Sequence, residues 1–101
     1  MDNKEIVYDY LLNELQVKEQ LADILYAKIT KYEDIYNNFL EWLNKRDFSV
    51  LSPLVIEDYT PQQISESFPH FTGIGVFNIF VDLRDNKEKT LENIKNGFPR
   101  K

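Results

Sequence analysis

The single histidine of the chain, His70, has hydroxyl and carboxylate side chains near it in the sequence. Ser65, Ser67 and Asp58 could supply the nucleophile and the orienting acid of a hydrolase triad. Neither a nucleophile elbow nor oxyanion glycines accompany them at a suitable spacing. We therefore expect no enzymatic activity, and we interpret His70 as part of a Pro-His turn.

Two other chemistries are poorly supported by the residue types. With one histidine and no cysteine, a metal site would need carboxylate ligands, and no Asp/Glu spacing matches a calcium loop. The run Thr72-Gly73-Ile74-Gly75 lacks both the dinucleotide-binding fingerprint and the lysine of a P-loop. We expect neither a metal nor a cofactor, and we interpret these glycines as a tight turn or a close helix contact.

The segment from Thr60 to Leu83 has the pattern of a helix-turn-helix core. Thr60, Pro61 and Gln63 predict a capped helix start, with the helix ending near Phe68 before Pro69. A second helix is predicted over residues 74–84, with Thr72 as its N-cap. Four of its apolar residues have helical spacing: Val76, Ile79, Phe80 and Leu83. The alternative for residues 74–84 is a strand.

The exposed face of a DNA-reading helix should carry polar or basic side chains. In the second helix only Asn78 and Arg84 are candidates for DNA binding. We therefore favour a protein-binding surface over a nucleic-acid one. That surface would consist of Tyr59, Phe71, Ile74, Phe77 and Val81. A third interpretation makes the helix a core helix, buried on nearly all sides.

The N-terminal half contains neither Gly nor Pro before Pro53, and its apolar residues recur at helical spacing. The pattern predicts one long helix over about residues 17–46. Its apolar stripe, the candidate self-association surface, comprises Leu21, Leu25, Ile29, Tyr32, Tyr36, Phe39 and Leu43. Such a helix would be about 45 Å long, which exceeds a compact domain of this size. Either a first helical segment, starting after Asp2 or Asn3, folds back on it as a helical hairpin, or a second copy of the chain covers the stripe.

Residues 47–59 are predicted to be a linker, because no helical stripe runs through them. A final helix should begin after Asp85 or Asn86 and stop at Gly97 and Pro99. The sequence thus predicts one all-α domain over residues 1–101. It divides into a long helix or helical hairpin (1–46), the linker (47–59) and a small helical subdomain (60–101). The alternative is an α+β fold in which residues 74–84 form a strand.

The charge of the chain disfavours polyanionic partners. The formal net charge is −5, and it works against binding to nucleic acid or anionic membranes. Residues 1–50 hold ten acids and six bases, so this half is acidic. Three basic residues, Lys95, Arg100 and Lys101, lie close together near the end of the sequence. Neither a signal peptide nor an apolar run of about 20 residues is evident. We expect a cytoplasmic location.

Four segments of the second half carry a resemblance. They are Val55-Ile56-Glu57-Asp58-Tyr59-Thr60, Gly75-Val76-Phe77-Asn78, Leu83-Arg84-Asp85 and Ile94-Lys95-Asn96-Gly97-Phe98-Pro99. This part resembles small uncharacterised bacterial proteins carried by mobile elements. The resemblance implies a bacterial, cytoplasmic origin and no particular activity.

These observations lead to one main functional hypothesis and two alternatives. The main hypothesis is a non-enzymatic protein-interaction module that self-associates as a homodimer through its N-terminal helix. The first alternative is a helix-turn-helix-like DNA-binding regulator. The second is an acidic inhibitor that occupies the nucleic-acid site of a partner.

Overall fold

The computed structural model describes residues 1–51, 53–71 and 73–98, and in these ranges it is built from helices and turns. The helices are α1 (Asn3–Asp9), α2 (Glu19–Ile29), α3 (Glu33–Lys45), α4 (Pro61–Ser67), α5 (Ile74–Asp85) and α6 (Lys87–Asn96). A π-helical turn, Tyr10–Glu14, extends α1, and a 3-10 turn covers Phe48–Val50. The prediction of an all-α fold is confirmed. The strand alternative for residues 74–84 is wrong, because these residues lie in α5.

The helix starts follow local hydrogen bonding. Asp2 caps α1, accepting the Glu5 N–H at 2.9 Å, and Glu5 accepts the Asp2 N–H in return. The predicted capping box of α4 is present as well, with the Gln63 N–H donating to Thr60 Oγ1 at 3.2 Å. The predicted N-cap at Thr72 and the stop at Pro99 lie outside the described residues, as do Arg100 and Lys101.

The prediction of a continuous helix over residues 17–46 is wrong. The helix is interrupted between Ile29, where α2 ends, and Glu33, where α3 begins. The Thr30 hydroxyl donates to the Tyr26 carbonyl at 2.8 Å, a local bond that competes with helix propagation. Tyr32 then adopts extended φ and ψ of −120° and 125° as the N-cap of α3. The apolar stripe continues across this break, so its spacing alone does not reveal it.

The first helical segment folds back against α2, as in the hairpin alternative. Tyr8 of α1 donates a hydrogen bond to Asp23 of α2 at 2.6 Å, and its ring lies 5.1 Å from that of Tyr26. This packing keeps the longest dimension at 38 Å. The excess length predicted for a straight rod is therefore removed by folding within one chain.

Helix α5 is the centre of the molecule and contacts α2, α3, α4 and α6. Its buried side chains are Ile74, Val76, Phe77, Ile79, Phe80, Val81 and Leu83. They cover roughly two thirds of the helix circumference, and the remaining strip carries Gly75, Asn78 and Asp82, which are partly buried. The interpretation of residues 74–84 as a core helix therefore agrees with the structure.

The linker contributes to the core as well as connecting the two halves. Leu51 and Leu54 are buried, and Phe48 stacks on Trp42 with ring centroids 5.4 Å apart. Asp47 accepts the Ser49 N–H at 2.9 Å and so fixes the 3-10 turn. Phe48, Leu51 and Leu54 thus anchor the linker to the core, and its 3-10 turn contacts α4.

Candidate functional site

The seven residues of the predicted self-association stripe do not form one exposed surface. Ile29, Phe39 and Leu43 are buried in the core of the chain itself. Leu25, Tyr32 and Tyr36 are partly buried and pack against that core, and Leu21 alone is exposed, at 44%. The helices of one chain therefore cover most of the stripe that was predicted to need a second copy.

The predicted partner surface around α5 is likewise mostly internal. Phe77 and Val81 are fully buried and Ile74 is 5% exposed. Tyr59 pairs with Ile56 in a tight turn. Phe71, which follows α4, packs against the rings of Phe68 and Phe98. The prediction that Ile74, Phe77 and Val81 form an accessible surface is wrong, because the neighbouring helices enclose α5.

The two predicted DNA-reading side chains are engaged within the protein. Arg84 forms a bidentate hydrogen-bonded ion pair with Asp34, with Nη1 donating to Oδ1 at 2.6 Å. Its guanidinium lies 4.9 Å from the centre of the Tyr32 ring. Asn78 is partly buried, and its side-chain oxygen is shielded from solvent. Neither side chain projects freely from α5 toward a nucleic acid.

Charged pairs join the break between α2 and α3 to the end of α5. Lys28 pairs with Asp82 at 2.9 Å and Lys31 with Asp85 at 2.8 Å. The Tyr32 hydroxyl donates to the other Asp85 oxygen at 2.5 Å. The bonds from Lys31 and Tyr32 hold the pKa of Asp85 below its usual range. Sequence reasoning missed this network, because its partners are about fifty residues apart.

The residues considered for catalysis lie around α4. Ser65 and Ser67 are on that helix, and His70 follows it in the turn with its ring 4.4 Å from that of Phe71. Asp58 is in the turn closed by Ile56 and Tyr59, with a φ of 67°. Among the described residues, no three His, Asp or Glu side chains converge to hold a metal ion.

Gly73, the residue before α5, allows a close contact with Tyr10 and Trp42. Gly73 has a φ of +53°, and a Cβ atom placed there would lie 2.2 Å from the Tyr10 hydroxyl and 2.8 Å from Trp42. The backbone of Ile74 hydrogen-bonds the Tyr10 hydroxyl. The start of α5 is therefore held by a side chain from the N-terminal segment.

A depression on the N-terminal helices lies in a groove between α1 and α3. This groove, termed the α1–α3 groove, has a volume of about 340 Å³ and is lined by Asn3, Ile6, Leu40, Leu43 and Asn44. Its lining combines apolar side chains with two amides and contains no charged group. Ile6 is 38% exposed at its edge. Leu43 belongs to the predicted self-association stripe, and Leu40 lies about one helical turn before it. That Ile6 lines the same groove could not be predicted without knowing how α1 packs.

A comparison of the chain with known proteins finds no match among protein-family models, curated proteins or solved structures. The resemblance to mobile-element proteins consequently stays a prediction. In the described part of the chain, no helix combines the length and the apolar character needed to cross a membrane.

Proposed function

We propose that this chain is a non-catalytic protein-interaction module that pairs with a second copy through its N-terminal helices. The supporting observation is the distribution of uncovered apolar side chains in the described residues. Of the eight large ones that are exposed, six lie within residues 1–24, and α4, α5 and α6 contribute none. They are Met1, Ile6, Leu12, Leu15, Leu21 and Ile24, followed by Val50 and Val55 in the linker.

The pairing is proposed to use the α1–α3 groove rather than the whole predicted stripe. In a two-fold arrangement, Ile6 of each copy packs on Leu40 and Leu43 of the other, so that each groove receives one apolar side chain. The lining carries no charge, and its two amides, Asn3 and Asn44, need hydrogen-bond partners in the second copy to avoid a desolvation cost. Because the apolar area is small, the dimer belongs to the transient class, below about 1,200 Å² of total buried surface.

Sedimentation velocity over a range of protein concentrations tests the pairing. The unmodified chain should show a mass that rises with concentration at tens to hundreds of micromolar. Ile6→Lys should remain a monomer, because its ammonium group cannot be buried in the apolar groove. Val55→Lys is the matched control, since it adds the same charge at another exposed apolar position, 53% exposed. A monomeric unmodified chain at all concentrations, or equal loss in both variants, would contradict the proposal.

One observation favours a second candidate, the acidic inhibitor of a basic partner. Residues 1–24 hold six acids and two bases. Within the described part of the chain, Asp2, Glu5, Asp9, Glu19 and Asp23 form no ion pair. Capture of a basic protein that duplex DNA then displaces would support this candidate. Capture that persists in high salt would oppose it, since contacts between exposed charges are screened.

A further inference from the structure

Two tyrosine rings from α1 and α2 form an aromatic corner on the flank of α1 opposite the α1–α3 groove. The rings of Tyr8 and Tyr26 have centroids 5.1 Å apart and an interplanar angle of 43°. Lys4 lies one helical turn before Tyr8, and its Nζ is 6.0 Å from the Tyr8 centroid and 5.7 Å from the Tyr26 centroid. The corner therefore already holds an ammonium group, supplied by the chain itself.

The tyrosine that forms one wall of the corner is fixed in place. Its hydroxyl donates to Asp23 Oδ1 at 2.6 Å, and this bond to a carboxylate raises the pKa of Tyr8 to about 12. Asp23, Glu5, Lys4 and Tyr8 line a depression of about 310 Å³. The lining thus combines the Tyr8 ring with two carboxylates, and the Tyr26 ring lies beside it. Aromatic rings and carboxylates together attract an organic cation.

The charge of the surrounding segment favours the same ligand. Residues 1–24 carry a net charge of −4 from six acids and two bases, so a cation is attracted before it reaches the rings. An inorganic cation would gain little from the aromatic faces, whereas an alkylammonium gains from both rings and carboxylates.

Lys4 is held loosely in this corner. Its side chain is exposed, and within the described residues no carboxylate forms an ion pair with it. Both ring distances are near the outer limit of about 6 Å for cation–π contact. An external ammonium group can therefore displace it without breaking a salt bridge or opening the core.

We infer that the corner formed by Tyr8, Tyr26 and Asp23 is a binding site for an organic ammonium group, and that Lys4 occupies it as an internal competitor. The ligand is a primary or methylated alkylammonium, carried either by a small molecule or by a lysine side chain of a partner. This site does not depend on the α1–α3 groove or on self-association.

Titration with tetramethylammonium and with a trimethyl-lysine peptide, followed by NMR of the tyrosine ring protons, tests the inference. Lys4→Ala should bind about threefold or more tightly than the unmodified chain, because the competing group is removed. Lys18→Ala is the matched control, since it removes the same charge from the same segment outside the corner. Lys4→Ala combined with Tyr26→Leu should bind neither probe. Tyr8→Phe keeps the ring and should retain part of the affinity, which guards against a folding defect.

The two probes distinguish the source of the ammonium group, and both sources support the site. Binding of both probes with similar affinity indicates a small-molecule site, and binding of the peptide alone indicates a partner's lysine. Three outcomes overturn the inference. They are no shift of the Tyr8 and Tyr26 resonances in Lys4→Ala, an equal gain in affinity in Lys18→Ala, and equal binding of an uncharged tert-butyl analogue.

Discussion

Gly73 shows how one residue can determine whether two halves of a chain meet. Its positive φ brings the backbone against Tyr10 and Trp42 at a distance that leaves no room for a side chain. The Tyr10 ring contacts Trp42 with centroids 5.9 Å apart, and Arg46 lies 5.3 Å from the Tyr10 centroid. Gly73 therefore completes a cluster built from three segments of the chain, in which the Tyr10 and Trp42 rings meet edge to face.

We expect Gly73→Ala to destabilise the protein by about 2–4 kcal/mol, from backbone strain and from overpacking against Tyr10 and Trp42. Urea unfolding measures the change. Gly97→Ala is the matched control, because its φ is +81° but no atom lies within 4 Å of the added Cβ. It should cost only about 1–2 kcal/mol. Equal losses in the two variants would show that the contact with Tyr10 is unimportant.

At the scale of helices, the break between α2 and α3 is the feature that decides the architecture. A straight rod would leave the stripe from Leu21 to Leu43 uncovered, whereas the break lets α2 and α3 both pack on α5. The exposed hydrogen bonds of Lys31 and Tyr32 to Asp85 stabilise the break between α2 and α3. Each exposed ion pair contributes only about 0–1 kcal/mol, so the network specifies the position of the break more than it stabilises the fold.

Glu33→Pro should change the free energy of unfolding by less than about 1 kcal/mol, because proline is well accepted at the first position of a helix. Tyr32 already has the extended conformation that a following proline requires. Asn37→Pro, in the middle of α3 and also exposed, should cost about 3 kcal/mol or more. Circular dichroism and urea unfolding of both variants test the break. A large loss with Glu33→Pro would indicate a continuous helix.

Local signals in the sequence sufficed for some helices and failed for others. The start of α4 was predictable because Thr60 and Gln63 bond within one turn, and α5 was predictable because its apolar run is too long for most strands. The break after Ile29 was not, because the Thr30 hydroxyl bonds to the Tyr26 carbonyl only once the chain is folded there, and the stripe is preserved across the break. The α1–α3 groove and the aromatic corner depend on how α1 docks, which no local pattern encodes.

At the scale of the whole molecule, ionisable groups on different helices bond to one another, and their pKa values make stability depend on pH in both the acid and the alkaline range. Asp34 and Asp85 have pKa values held below their usual range, mainly by hydrogen bonds from Arg84 and Lys31. The pKa of Tyr8 is raised to about 12 by its bond to Asp23, and that of Tyr36 to about 12 by burial and a bond to Tyr26. The folded state therefore favours charged carboxylates and neutral phenols.

We expect the free energy of unfolding to be greatest at a pH above the titration of the carboxylates and below the titration of the phenols. It should fall at lower and at higher pH. A carboxylate with a lowered folded-state pKa stabilises the fold above its unfolded pKa of about 4, and this contribution is lost as the pH falls. A phenol with a raised pKa stabilises the fold below about 10, and this contribution is lost as the pH rises toward 12. Urea midpoints measured across pH test both arms.

Two variants assign these pH effects to particular groups. Tyr8→Phe should reduce the alkaline loss and leave the acid arm unchanged. Asp85→Asn should reduce the acid loss and also part of the alkaline loss, because hydrogen bonds to Asp85 raise the pKa values of Tyr32 and Lys31. In a spectrophotometric titration of the six tyrosines, Tyr8→Phe should remove one of the groups that ionise last. An alkaline arm of the same depth in Tyr8→Phe would contradict the role assigned to its hydrogen bond.

The position of α5 in the chain has a consequence for synthesis on the ribosome. Among the α-helices of the described residues, the one around which α2, α3 and α4 pack is the fifth, so those three helices leave the exit tunnel before it does. Until Phe77 and Phe80 emerge, Ile29 and Phe39 have no central helix to cover them. The nascent protein therefore passes through a stage with exposed apolar surface, in which chaperones and premature contacts between neighbouring nascent chains compete with folding.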